Sequence, residues 1–415
     1  MGPLINDAAA GADLVLGLGG CLDYEIVWNP DVVQSLVDEY GIEPHEASTD
    51  VEVDSERDLV CSILGFLREG VGGERYVASS AVVRDVAARF ERRVALGGTN
   101  VRAAVAMSRI GVAATLHLVS IDDHVRRLLP AGVDYVCSAT ADSTDPHLIV
   151  QYPAGARVRL GEEEVVSPAA NRLIYVNDVP NRDLALSRQL GRMLAGAGLF
   201  LVSGFNAMRN PALLERRLDE LRRAMAWLPP AAKVIYEDAG FHVPSFRGPI
   251  CERLVERVDV WGMNEDELQA YVGAPVDLLD AEAVAGALRA LQRVVPARVL
   301  VVHTSAWSLA YGPRSREYRT ALRGGNALAG ARFGHGDTFT RSDHRRVDDG
   351  PRHSGGERFA EQVERRLGEL VCCEAAFRVE CPTPTTVGLG DTFVGGFIAA
   401  LAGSAAGAPP RTAGG

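Results

Sequence analysis

Two short stretches of this sequence bring together residue types that can transfer a charged group. The first is Gly388-Leu389-Gly390-Asp391, followed by a helical pattern of small and apolar residues. Glycines let a backbone approach a phosphate closely, and a helix N-terminus supplies free N–H groups and positive potential. An aspartate on such a turn can take a proton from a hydroxyl while the N–H groups hold a transferring phosphoryl. An aspartate that merely caps the helix is the plain alternative. The second stretch is Gly262-Met263-Asn264-Glu265-Asp266-Glu267-Leu268, after the apolar run VDVW. Its three carboxylates at a strand end could sit beside a divalent ion bound to phosphates. An acidic first helical turn, favoured by the helix dipole, is the alternative there.

Other signals carry less. Gly17-Leu18-Gly19-Gly20 follows a strand pattern, but Leu22 stands where a dinucleotide fingerprint needs its last glycine. Lys233 is the only lysine and lies in AAKVIY, so a P-loop is excluded. A protein-kinase arrangement has no HRD or DFG to accompany that lysine. His335, Asp337, His344, Asp348, Asp349 and His353 are irregularly spaced in a charged stretch and read as a solvated surface rather than a metal cluster. His303, on an apolar strand, reads as a satisfied buried histidine, and Trp261 and Met263 as core.

These residues need a scaffold, and the composition allows a large one. With 415 residues the chain exceeds the size at which one core usually stops growing, so two units are expected. A net charge of −11 disfavours nucleic acid and anionic membrane surfaces as partners. The seven cysteines form no CxxC pair, which points to reduced thiols. No secretory signal or membrane span is evident, and a cytoplasmic location is expected.

From residue 171 the pattern alternates apolar strands (172–178, 199–204, 233–240, 258–264, 298–305) with helical stretches such as 212–228 and 280–294. This predicts a parallel sheet covered on both faces, with ligands beyond the carboxyl ends of its strands. Upstream, 31–70, 79–93 and 96–111 read as mainly helical, and 13–18, 114–121 and 147–152 as strands. Residues 334–358 are polar and aperiodic and read as a mobile insertion; the tail 403–415 reads as disordered.

The order of motifs along the chain resembles the ADP-dependent sugar kinases (glucokinase and phosphofructokinase), a branch of the ribokinase-like superfamily. The resemblance runs from about residue 15 to 400. It rests on GLGGCLDYE (17–25), GVGGERYVAS (70–79), LGGTN (96–100), HLIVQYPAG (147–155), PAANRLI (168–174), SGFNAM (203–208), VIYED (234–238), GMNEDEL, VVHTS (301–305) and TVGLGD. It implies a three-layer αβα sandwich with a smaller α/β lid. The large domain would take residues 10–28, 94–135 and 170–402, and the lid 29–93 and 136–169.

The same resemblance implies site roles. Asp23, Glu74, Gly97, Gly98 and Asn100 would bind the sugar, and Arg172 would contact phosphate. Glu237, Asn264 and Glu267 would hold Mg²⁺, with Asp391 as base beside Gly388, Leu389 and Gly390. Glu74 would repel a sugar phosphate, so the expected acceptor is an unphosphorylated sugar or polyol. ADP is the expected donor and AMP the product, because the order of motifs follows the ADP branch; the segments around 303–336, including ALRGGNALAGARFG, would set the distance to the adenine. The sequence departs from the family pattern in three places. His-x-Glu reads Ile235-Tyr236-Glu237, Thr99 precedes Asn100 after the glycine pair, and Asn206 stands where a longer polar residue is usual. The helix after Asp391 looks more like the ATP-using ribokinases. An ATP-dependent ribokinase-type sugar kinase and a non-catalytic sugar- or nucleotide-binding homologue are therefore the alternatives.

Overall fold

The computed structural model describes residues 14–381 and 385–406; of the expected disordered tail, 403–406 instead continue helix Leu389–Ala406, and 407–415 lie outside the described residues. In chain order the strands are β1 (Leu14–Leu16), β2 (Cys21–Ile26), β3 (Gly73–Tyr76), β4 (Arg92–Gly97), β5 (Ala114–Leu118), β6 (Val133–Cys137), β7 (His147–Tyr152) and β8 (Arg157–Leu160). They continue with β9 (Glu163–Val166), β10 (Asn171–Val176), β11 (Leu199–Val202), β12 (Lys233–Glu237), β13 (Val260–Asn264), β14 (Val299–His303), β15 (Trp307–Tyr311) and β16 (Val371–Ala375). Among the described residues they form a nine-stranded sheet in the order β16-β15-β14-β13-β12-β11-β1-β5-β6, a five-stranded sheet β3-β10-β7-β2-β4, and the hairpin β8-β9.

The large sheet is parallel from β14 to β6, and β15 and β16 close its edge antiparallel. Its strands are buried on both faces, which is why they read as unbroken apolar runs. One face packs Trp261, Trp307 and Phe200 under helices such as Pro211–Met225 and Ala281–Val294. The other packs Leu201, Ile235 and Val301 under Thr99–Arg109 and Leu389–Ala406. The small sheet has its own core with helices Pro30–Tyr40 and Glu56–Glu69. This is the expected sandwich with a lid.

Three expectations change in detail. The chain leaves the large sheet sooner than expected, because Gly19 and Gly20, at φ 93° and 123°, turn it into the lid strand β2. The run 172–178 becomes lid strand β10, antiparallel to β7, rather than the first strand of the parallel sheet. The sheets therefore place 21–26, 92–97 and 171–176 with the lid and 133–137 with the large sheet, against the expected boundaries.

Residues 334–358 are not a mobile insertion either. They end helix Arg319–His335, form Arg341–Asp348 and begin Ser354–Leu367. Thr340 and Asp343 make a reciprocal capping box, His353 Nδ1 accepts from Gly356 N, and Val347, Phe359 and Val363 are buried anchors. The glycines of ALRGGNALAGARFG serve packing: Gly324 lies against Gly396 and Gly325 against Phe393, where a Cβ would collide. That segment is a helix pressed onto Leu389–Ala406.

Candidate active site

Strands β2, β3, β7 and β10 of the lid, the turn at Gly98 and the start of helix Leu389–Ala406 converge on one cavity of about 290 Å³. Asp23, Glu74, Gly98, Arg172, Gly388 and Asp391 all line it. Asp391 is the third residue of its helix, inside it rather than at its cap. The first bond within that helix runs from Thr392 N to Gly388 O at 3.0 Å, so the N–H groups of 389–391 have no acceptor inside it.

Arg102, on helix Thr99–Arg109, links the two ends of the cavity. Its Nη2 donates to Asp23 Oδ2 at 2.6 Å, its Nε lies 3.9 Å from Asp391 Oδ2, and its side chain is only 6% exposed. It also packs against Gly388, where any side chain would strike the guanidinium. Burial works against its charge, but Asp23 and Asp391 outweigh burial and hold it protonated. The sequence offered no sign of this role, since an arginine on a small-residue helix is ordinary.

The expected acceptor residues divide. Asp23 is buried on lid strand β2, and Glu74 stands on lid strand β3 beside His242, 3.2 Å away. The His242 partnership and the nearby charges of His147 and Arg172 keep the Glu74 carboxyl below its usual range, although burial opposes this. Gly97 contributes by lacking a side chain: a Cβ there would lie 2.5 Å from Cys21 Sγ and 2.6 Å from Asp23 Oδ2. Asn100 does not face the cavity. It is fully buried and donates to Gly19 O at 3.3 Å and His117 O at 3.0 Å, so it fixes the turn before β2. Thr99 lines the cavity in its place. Residues the sequence did not single out also line it: His147, Asp178, Asn181, Arg182, Arg209 and His242. Asn181 holds Gly20 at both its N–H (3.2 Å) and its carbonyl (2.9 Å).

Glu237, Asn264 and Glu267 lie at the carboxyl ends of β12 and β13. Asn264 Oδ1 accepts from the N–H groups of Asp266 and Glu267, and Glu267 Oε2 accepts from Asn264 N at 2.8 Å. The acidic helix start is thus a capping box, and Asn264 orients Glu267 through it. Burial adds something a surface cap would lack. It pushes the Glu267 carboxyl up to about 7, with Asp238 and Glu237 adding to it, and the Asp238 carboxyl up to about 6. Glu237 is also raised by burial. Glu237 is partnered by His303 and Asp238 by Tyr271, and the site offers Mg²⁺, which keeps several waters and binds through one or two carboxylates, oxygen donors of the kind it takes. The residues present fit that ion.

Ile235, where the family pattern has histidine, packs in the apolar core. An imidazole reaches Glu237 from β14 instead: His303 Nε2 lies 2.8 Å from Glu237 Oε1. His303 stacks on Phe393 with centroids 4.5 Å apart and lies beneath Gly390. It is the satisfied buried histidine expected, and it joins the carboxylate cluster to the Asp391 helix. The charged residues 335–353 form no metal cluster among the described residues.

The two sheets, the lid over the strand ends and the aspartate at a glycine turn define a ribokinase-like kinase architecture. The conserved region of the ADP-specific phosphofructokinases and glucokinases matches residues 12–308, and the chain belongs to that family of ADP-dependent sugar kinases. A hypothetical ADP-dependent phosphofructokinase from Pyrococcus horikoshii OT3 superposes with a TM-score of 0.78 at 18% identity, over 96% of this chain and 99% of that one. An ADP-dependent kinase in complex with fructose-6-phosphate and ADPβS gives 0.69 at 14% identity, over 95% of both chains. Anopheles gambiae adenosine kinase is more distant, at 0.50 and 16% identity, over 95% of this chain and 90% of that one. Among curated proteins no relative matches. No helix among the described residues is long and apolar enough to cross a membrane.

Proposed function

We propose that the protein transfers a phosphoryl group from ADP to a hydroxyl of an unphosphorylated sugar or sugar-like polyol, giving AMP, in the manner of a glucokinase. One observation carries this reading: Asp391 and Asp23 line a single cavity with Arg102 between them. Asp23 accepts hydrogen bonds from acceptor hydroxyls, and Asp391 takes the proton of the hydroxyl that attacks. The N–H groups of 389–391 and Arg172 hold the transferring phosphoryl. Glu237 and Glu267 would hold Mg²⁺, with Asn264 orienting Glu267; bound there, the ion would offset charge on the donor phosphates. Lid strands that wall the cavity keep water from the donor.

Glu74 is the reason for preferring an unphosphorylated acceptor, since its carboxylate repels a phosphate. A second reading has a specific observation behind it. Arg182 and Arg209 also line the cavity; Arg182 donates to Tyr76 Oη at 2.8 Å and Arg209 lies over the Tyr76 ring at 4.5 Å. That pair could receive an anionic group on the acceptor, as in a sugar phosphate. Comparing kcat/KM for free and phosphorylated sugars decides between the two. A preference for fructose 6-phosphate over every free sugar would overturn the first reading. Absence of turnover with any sugar and either nucleotide would favour a sensing homologue.

A further inference from the structure

Cys21, Asp23 and His147 lie together on the lid face of the cavity for a reason of sheet geometry. Cys21 and Asp23 are two apart on β2 and so share a face, and His147 is the register partner of Asp23 on β7. One ligand atom from each lies within 4.8 Å of the others. Cys21 Sγ to Asp23 Oδ1 is 3.5 Å, and His147 Nδ1 to Asp23 Oδ1 is 3.6 Å. A tetrahedral zinc ion with ordinary bond lengths has ligand–ligand edges of about 3.4–3.6 Å. The other ring nitrogen, Nε2, is 3.0 Å from Asp178 Oδ2, the outer carboxylate that commonly fixes a metal-binding imidazole. The space beside the thiol and carboxylate exists because residue 97 is glycine.

We propose that these three side chains form a site for a thiophilic divalent cation of the zinc type, with its fourth position open to the cavity. The ligands stand on adjacent strands of one sheet and need little rearrangement. Charge permits it. A bound Zn²⁺ with a Cys21 thiolate, Asp23 and Asp178 carboxylates and the Arg102 guanidinium sums to zero. Burial and the neighbouring Asp23 push the free Cys21 thiol up to about 12, and the neighbouring Cys21 and Asp178 raise the His147 imidazole although burial opposes this, so thiol and imidazole each carry a proton that the metal displaces. Magnesium, which prefers oxygen, does not select this set. Resting on the acceptor reading of the cavity, the consequence is inhibition: the ion takes the oxygen of Asp23 that faces the sugar.

Cobalt(II) is the probe, added to full-length protein stripped with a chelator. One equivalent gives a near-ultraviolet thiolate-to-cobalt band and four-coordinate visible bands, which zinc bleaches and excess Mg²⁺ leaves intact. Cys21→Ser removes the thiolate band, and Asp178→Asn weakens cobalt binding about 10–100-fold. Should Cys21→Ser misfold by circular dichroism, His147→Gln is the second variant, expected to lose one-equivalent binding. No thiolate band at one equivalent, or a band that survives Cys21→Ser, overturns the site. In turnover assays zinc raises the apparent KM for the acceptor at constant kcat; a fall in kcat with KM unchanged overturns the inhibition. A protein that binds cobalt as described but phosphorylates no sugar retains the site and refutes the kinase reading instead.

Discussion

The two ends of the active site balance their charges differently. At the acceptor end each carboxylate has a cationic or imidazole partner: Asp23 and Asp391 face Arg102, Asp178 faces His147, and Glu74 faces His242. At the carboxyl ends of β12 and β13, Glu237, Glu265 and Glu267 surround a single imidazole, His303, while Asp238 accepts from Tyr271 Oη at 2.6 Å. Burial raises all four carboxyls above their ordinary values. The first end is complete in the protein alone. At the second, buried carboxyls outnumber their cationic partners, which is why it is the end proposed to take Mg²⁺.

The largest expected effect lies at the balanced end. Arg102→Met leaves the buried Asp23 without its partner and should cost about 3–5 kcal/mol of folding stability, read from denaturant unfolding. A loss below about 1 kcal/mol would mean that solvent, not Arg102, balances Asp23. Next comes Asp391→Asn, which should lower kcat at least ~10²-fold with an unchanged circular dichroism spectrum. Activity within a few-fold of wild type would remove Asp391 from the role of base. The unbalanced end should behave oppositely on stability. Glu267→Gln keeps a side chain able to close the capping box and removes one buried charge, so metal-free protein should melt no lower than wild type. The same variant should raise the Mg²⁺ needed for half-maximal rate about 10-fold. Unchanged Mg²⁺ dependence would leave Asn264 and Glu267 as a helix cap and nothing more.

Much of this arrangement could be read from residue patterns, because strands buried on both faces announce themselves as apolar runs: β11 to β14 lie where such runs predict. The run at 172–178 misled for the same reason, since an apolar strand looks alike whichever sheet it joins. Residues 341–348 and 354–367 hid as helices because their anchors are few and their charges serve caps and ion pairs. Asp391 was visible through its glycine turn, Asp23 and Glu74 only through the family resemblance of the segments that carry them. Arg102 was not, because its partners come from a lid strand and from a helix nearly 300 residues away. The loss of a histidine at position 235 was plain in the sequence; that His303, two strands over, reaches Glu237 depends on register between β13 and β14.

The most direct test of the central claim is a product analysis. Purified protein is incubated with Mg²⁺, a panel of free and phosphorylated sugars, and either ADP or ATP, and the products are separated by chromatography. The account predicts AMP formed from ADP in proportion to sugar phosphate, with a free sugar as the preferred acceptor. Sugar-dependent conversion of ATP to ADP, with ADP inert as donor, would contradict it.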